Sequence, residues 1–181
     1  MDIKLRACVI NNKERLLNEW YKNMVLSLYN NDETNYIMNE KDSFINPSGY
    51  ILKNALVDIF VYLFEGIELD KITESLEKFA KLLALNGSDT EKNLNILFLL
   101  KNKIEEFVKT QRIFENCQDE FFYITSKFDR LVHKLFVLYA SARDKIYEIK
   151  INEVKRLTYS LLRANKLIEK VSEFNESEFN I

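Results

Sequence analysis

"FINPSGYILKNALVDIFVYLFEG" spans residues 44–66 and holds the only proline and two of the three glycines in the chain. Asn46 suits the position just before a helix, where its side-chain oxygen can take a free backbone N–H. Pro47 suits the first helical position, where a missing N–H costs nothing. Tyr50, Ile51, Ala55, Leu56, Ile59, Phe60, Leu63 and Phe64 then recur in doublets, and Val57, Val61 and Tyr62 widen the apolar face. A helix apolar around most of its circumference belongs at the centre of a fold. Gly66 fits the left-handed residue just past a helix end. The breakers therefore bracket a core helix rather than build a catalytic loop.

Composition agrees with a helical protein. The 181 residues are 47 % hydrophobic and 13 % aromatic, enough for one sizeable core. Three glycines and one proline are too few for a chain of strands and tight turns. A net charge of −2 gives no global attraction to nucleic acid or anionic lipid. Cys8 and Cys117 form no ligand-spaced cluster and read as reduced structural thiols of a cytoplasmic protein. No signal-peptide pattern opens the chain, and its longest apolar runs fall far short of the about 18 residues of a membrane span.

Helical spacing recurs on both sides of the central segment. Leu16, Leu17, Trp20, Met24, Val25 and Leu28 mark a helix starting near Asn12, with Asn11 or Asn12 as its cap. The polar stretch up to Phe44 reads as a loop with a short helix. Ile72, Leu76, Phe79, Leu82 and Leu83 mark a third helix, capped near Asp70 and closed by Gly87. Ser88 and Glu91 have capping-box spacing before a helix with Leu94, Leu97, Phe98, Lys101, Ile104 and Val108 on its stripe.

From Ser88 to Ile181 there is neither glycine nor proline, and beyond a weak break at 114–120 one helix is expected from about Asp119 to Phe174. At 1.5 Å per residue it would run roughly 80 Å, too long for this domain to bury. Its second half carries Tyr147, Lys150, Val154, Leu157, Leu161, Ala164, Ile168 and Val171, stepping 3-4-3-4-3-4-3. Such a narrow seam, interrupted only by Lys150, is the spacing of a coiled coil. The expected organisation is a helical domain over 1–142 and an extended tail over 143–181 that joins two copies in parallel. A tail folded back on the domain is the alternative.

Two motifs also carry a family resemblance. "KDSFINPSG" (41–49), leading into the apolar helix, resembles the F-x-NP-x-G start of the central helix in the RsbRD N-terminal domain family, the sensory domains of RsbT co-antagonist proteins. "LYASARDKIYEIKINEVKR" (138–156) resembles the R-x-KIYEI-x-x-NE run before the terminal helix of stand-alone members. "ERLLNEWYKNMV" (14–25) fits the family's first helix, with Trp20 as its tryptophan. The resemblance implies an all-helical domain, globin-like without haem, whose last helix continues as a dimeric linker into a STAS domain that contacts a switch kinase. No α/β segment follows here, so the stand-alone form is expected. The resemblance supplies no catalytic residues.

No enzyme constellation is visible, and no cofactor or metal is expected. The three glycines are isolated, so there is no phosphate loop. His133, the only histidine, lacks a nucleophile motif and the two further helices that follow a globin's proximal ligand. The acids Glu105/Glu106 and Asp119/Glu120 read as solvated charge. Basic residues from Arg143 to Lys170 mix with acids along the seam, which favours coiled-coil flanks over nucleic-acid binding.

The expected function is therefore a non-enzymatic sensory module that relays a ligand or partner signal through its dimeric terminal helix. The alternative is an accessory protein docking onto another complex by that helix. A ligand pocket is expected between the 47–65 and 94–108 helices, lined by Tyr50, Phe60, Phe64, Phe98 and Phe107, unless these aromatics simply fill the core.

Overall fold

A computed structural model describes residues 5–39, 42, 44–86, 90–110 and 117–164. Among them the chain is all-α, with no strand. The helices are α1 (Leu5–Asn11), α2 (Lys13–Leu28), α3 (Asn31–Asn39), α4 (Pro47–Phe60), α5 (Thr73–Leu85), α6 (Thr90–Thr110) and the long α7 (Gln118–Ala164). A π-turn, Val61–Glu65, prolongs α4, and a 3₁₀ turn, Leu69–Ile72, precedes α5. The chain divides after Ala142 into two compact units.

In the first unit α4 packs on α2, α3 and α5, while α6 packs on α2. Leu52, Ala55, Leu56, Ile59 and Phe60 of α4 are each 1 % exposed or less, as are Leu63 and Phe64 of the π-turn. Trp20 and Met24 from α2, and Leu76 and Phe79 from α5, enter the same cluster. The first half of α7 adds Ile124, Phe128, Leu131, Leu135 and Tyr139, spaced at three and four residues.

The start of α4 is as the sequence suggests. Asn46 Oδ1 accepts the Gly49 N–H at 2.9 Å, and Pro47 occupies the first turn. The same amide works twice, because Asn46 Nδ2 donates to the Ile37 carbonyl at 2.9 Å. That carbonyl also accepts the Tyr21 hydroxyl at 2.9 Å, so α2, α3 and α4 meet at one buried oxygen. Gly49 is required by this arrangement, since a Cβ there would lie 2.4 Å from Asn46 Nδ2. At the other end Gly66 is left-handed, with φ of 90°.

Several details differ from the sequence reading. The segment before Asn12 is helical: Leu5 and Val9, one turn apart, bury α1 in the core. Asn12 makes no side-chain cap to α2; its Nδ2 instead donates to the Cys8 carbonyl at 2.9 Å, closing α1. Asp70 falls inside the 3₁₀ turn, so α5 starts later, at Thr73. Leu52 replaces Tyr50 on the inner face of α4. On α6 the buried stripe is Asn93, Ile96, Leu100, Ile104, Phe107 and Val108, which turns Phe98 outward. Asn93 anchors that rotation: its Nδ2 donates to the Leu83 carbonyl at 3.0 Å and to the Tyr139 hydroxyl oxygen at 3.3 Å. Gly87, Ser88 and the side chains of Glu91, Leu94 and Leu97 lie outside the described residues.

In the second unit α7 is helical from Arg143 to Ala164. Asn46→Ala removes two buried hydrogen bonds and should cost about 2 kcal/mol, lowering the melting temperature by about 4–8 °C in a calorimetric scan. Gly49→Ala, which forces the pinned Asn46 side chain aside, should cost at least as much; an unchanged melting temperature would refute the double role of Asn46.

Candidate functional site

The five aromatics expected to line one pocket are not brought together. Phe60 and Phe64 are fully buried and pack ring on ring, 4.9 Å between centroids, with Trp20 6.0 Å from Phe60. Phe107 is buried too, beneath the Arg15 guanidinium at 5.8 Å. These three fill the core. Tyr50 and Phe98 point outward, 55 % and 48 % exposed. The doublet pattern hid this, because it assigned one face to residues that α4 and α6 divide between inside and outside.

What opens instead are two surface grooves on either side of α4. One, about 320 Å³, lies between α4 and α5, with Tyr50, Asn54 and Asp58 facing Lys71, Glu74 and Lys78. Its rim charges are partly spent on each other, since Lys78 Nζ meets Glu74 Oε1 at 2.7 Å. The other, about 310 Å³, lies between α2 and α4 on a floor of Leu17, Tyr21, Leu56 and Val57. Glu14 and Lys53 also line it, and the Lys53 ammonium sits 4.9 Å from the Tyr21 ring centroid. Val57 borders both grooves, so α4 is reached by solvent from two sides.

A polar junction closes the far end of the core helix. A π-turn bonds i to i+5 and is wider than an α-turn, and as the end of the helix it leaves its last carbonyls to be met from outside. Arg6 Nε and Nη2 both donate to the Phe64 carbonyl, at 2.9 and 2.7 Å. Lys127 Nζ donates to the Tyr62 carbonyl, and the Tyr62 hydroxyl donates back to the Lys127 carbonyl at 3.2 Å. The Lys127 ammonium also lies 4.5 Å from the Tyr62 ring centroid and 5.6 Å from that of Tyr123. Glu120 Oε1 accepts the Arg6 backbone N–H at 3.3 Å, tying α1 to α7. Lys13 Nζ pairs with Glu65 Oε1 at 2.5 Å. Cations gather here because a helix's C-terminal end is its negative pole. Burial, with Arg6 beside it, holds the Lys127 ammonium pKa below the usual lysine range.

Sequence reading overlooked Arg6 and Lys127. The Leu5/Val9 spacing could have revealed α1 and therefore Arg6, but nothing local marks Lys127 among the lysines of α7. His133 is exposed on α7, Cys8 is half-buried and Cys117 is buried. Among the described residues no group of three or more His, Cys, Asp or Glu side chains could hold a metal ion. No helix among them is long and apolar enough to cross a membrane.

Of the seam residues, Tyr147, Val154, Leu157 and Leu161 lie on α7 and are 48 %, 61 %, 54 % and 64 % exposed. The side chain of Ala164, and Ile168 and Val171 entirely, lie outside the described residues. Comparison with family models, with curated proteins and with solved structures gives no match.

Burial pushes the Tyr21, Tyr29 and Tyr62 phenols above the usual tyrosine pKa of 10.0. A group whose pKa rises on folding adds stability below its unfolded pKa and loses it as pH climbs through the folded one. Urea midpoints should therefore fall between about pH 9 and about pH 11, with these phenols ionising late in an ultraviolet titration. A midpoint that rises over this range would contradict their burial.

Proposed function

We propose that this chain is a non-enzymatic regulatory module of the RsbRD N-terminal kind, acting in the cytoplasm. Its helical domain takes an input from a small ligand or a protein partner, and its terminal helix passes that input on as a parallel homodimeric coil. The observation that carries this reading is the row Tyr147, Val154, Leu157 and Leu161, which follows coiled-coil spacing and is open to solvent among the described residues. Covering a side chain such as leucine is worth about 1.5–3 kcal/mol when complete, so a row of them favours a second helix. The lysines and glutamates interleaved with it, from Lys145 to Arg163, suit the flanks of such a pair.

One observation favours a second reading. Of the aromatics expected to line a ligand pocket, Phe60, Phe64 and Phe107 fill the core, Tyr50 and Phe98 point outward, and the grooves beside α4 lie at the surface. Without an enclosed ligand, the module would serve as an accessory protein that docks on another complex through the same helix. Input by a protein partner over the grooves flanking α4 is compatible with both readings.

Light scattering of the intact chain at tens of micromolar is the test. The expected result is about twice the chain mass, reduced to a single chain by Leu157→Glu combined with Leu161→Glu while the circular dichroism of the domain is kept. An intact chain that is monomeric throughout would remove the coil from the mechanism.

A further inference from the structure

Arg6, the π-turn and Lys127 form a junction between α1, the end of the core helix and α7. Each group in it answers a specific need. The helix ends at this turn and leaves the Tyr62 and Phe64 carbonyls without helical partners; Lys127 takes the first, and Arg6 takes the second with two N–H groups. The exchange between Tyr62 and Lys127 is reciprocal, side chain to main chain in both directions. The Lys127 ammonium faces a carbonyl and two aromatic rings, and it makes no carboxylate ion pair among the described residues. Such a grip is specific to the shape of the turn. If the π-turn tightened to an α-turn, one residue fewer would be accommodated, and the chain beyond it would rotate by about 100°. The Tyr62 carbonyl and ring would then leave Lys127.

We infer that this clasp is the coupling element of the module: the π-turn held by Lys127 is one state, the tightened and released turn is the other. The turn continues the helix that both grooves flank, and the α4 residues lining them end at Asp58, so an occupant seated over α4 acts on the turn through that helix. Lys127 belongs to the same continuous helix as the exposed seam, so release changes the restraint on that helix. A change in axial rotation or register along a helix is a recognised way to transmit a state. Arg6 and Glu120 keep α1 and α7 in the same junction, so the clasp closes as a unit. This coupling presupposes the dimeric relay proposed above.

Disulfide trapping of the full chain tests it. With Cys8→Ser and Cys117→Ala as background, Val154→Cys and Leu157→Cys are introduced in turn, and cross-linking under a mild oxidant is compared with and without Lys127→Met. Methionine keeps the apolar stem over the Tyr62 ring but removes the donor. The ratio of cross-linking at 154 to that at 157 should change about threefold or more, and Lys127→Arg, which keeps a donor, should largely restore it. Tyr62→Phe removes only the return bond and should shift the ratio in the same direction by less. It also serves if Lys127→Met fails to fold by circular dichroism. A parent that cross-links at both positions, with a ratio unmoved by either variant, overturns the clasp and leaves the dimer standing. A parent that cross-links at neither position overturns the dimeric relay and the coupling together.

Discussion

Leu52, Leu56, Ile59, Phe60, Leu63 and Phe64 lie on one continuous run of helix, and almost no solvent reaches these six side chains. Water is excluded from it by α2 on one side and α5 on the other, with apolar side chains of α6 and the first half of α7 joining the same cluster. Each such side chain contributes about 1.5–3 kcal/mol on burial, and together they outweigh any single polar interaction in the chain. That burial also explains the polar devices at its two ends. A helix enclosed on most sides cannot satisfy its terminal N–H and C=O groups with bulk water, so protein groups must do it.

The two ends meet that need differently. At the start a single buried amide, Asn46, caps the first turn and reaches back to the Ile37 carbonyl, so α3 and α4 are joined by one residue. At the far end the turn widens, and two cations from distant parts of the chain come to its carbonyls. The first solution is local and tight. The second depends on α1 and α7 arriving together, which makes it the more readily altered of the two.

The long terminal helix changes character along its length. Up to Ala142 its three- and four-residue spacing meets the core, with Ile124, Phe128, Leu131, Leu135 and Tyr139 covered. From Tyr147 to Leu162 its apolar residues are exposed, although their spacing is as regular. Regular spacing therefore recurs without cover from the described residues. That contrast is what the proposed pairing with a second helix rests on, and the proposed accessory and sensory roles share it.

Much of this architecture was legible in the residues. The "NPSG" cap, the left-handed Gly66, the buried faces of α2 and α5, and a long unbroken C-terminal helix follow from spacing and from backbone chemistry that acts within a few residues. The candidate site was not legible in the same way. Tyr50 and Phe98 carry the same apolar label as Phe60 and Phe107, yet only the packing of α4 against α5 and of α6 against α2 decides which rings face inward. Periodicity narrows a helix to a face but leaves its rotation free by tens of degrees, and on α6 that rotation follows Asn93 bonding across to Leu83 and Tyr139. The junction of Arg6, Tyr62 and Lys127 lies further still from local rules. Arg6 and the Phe64 carbonyl it bonds are separated by 58 positions, Lys127 and that of Tyr62 by 65, and only the folded chain brings the positive side chains to the negative end of the core helix.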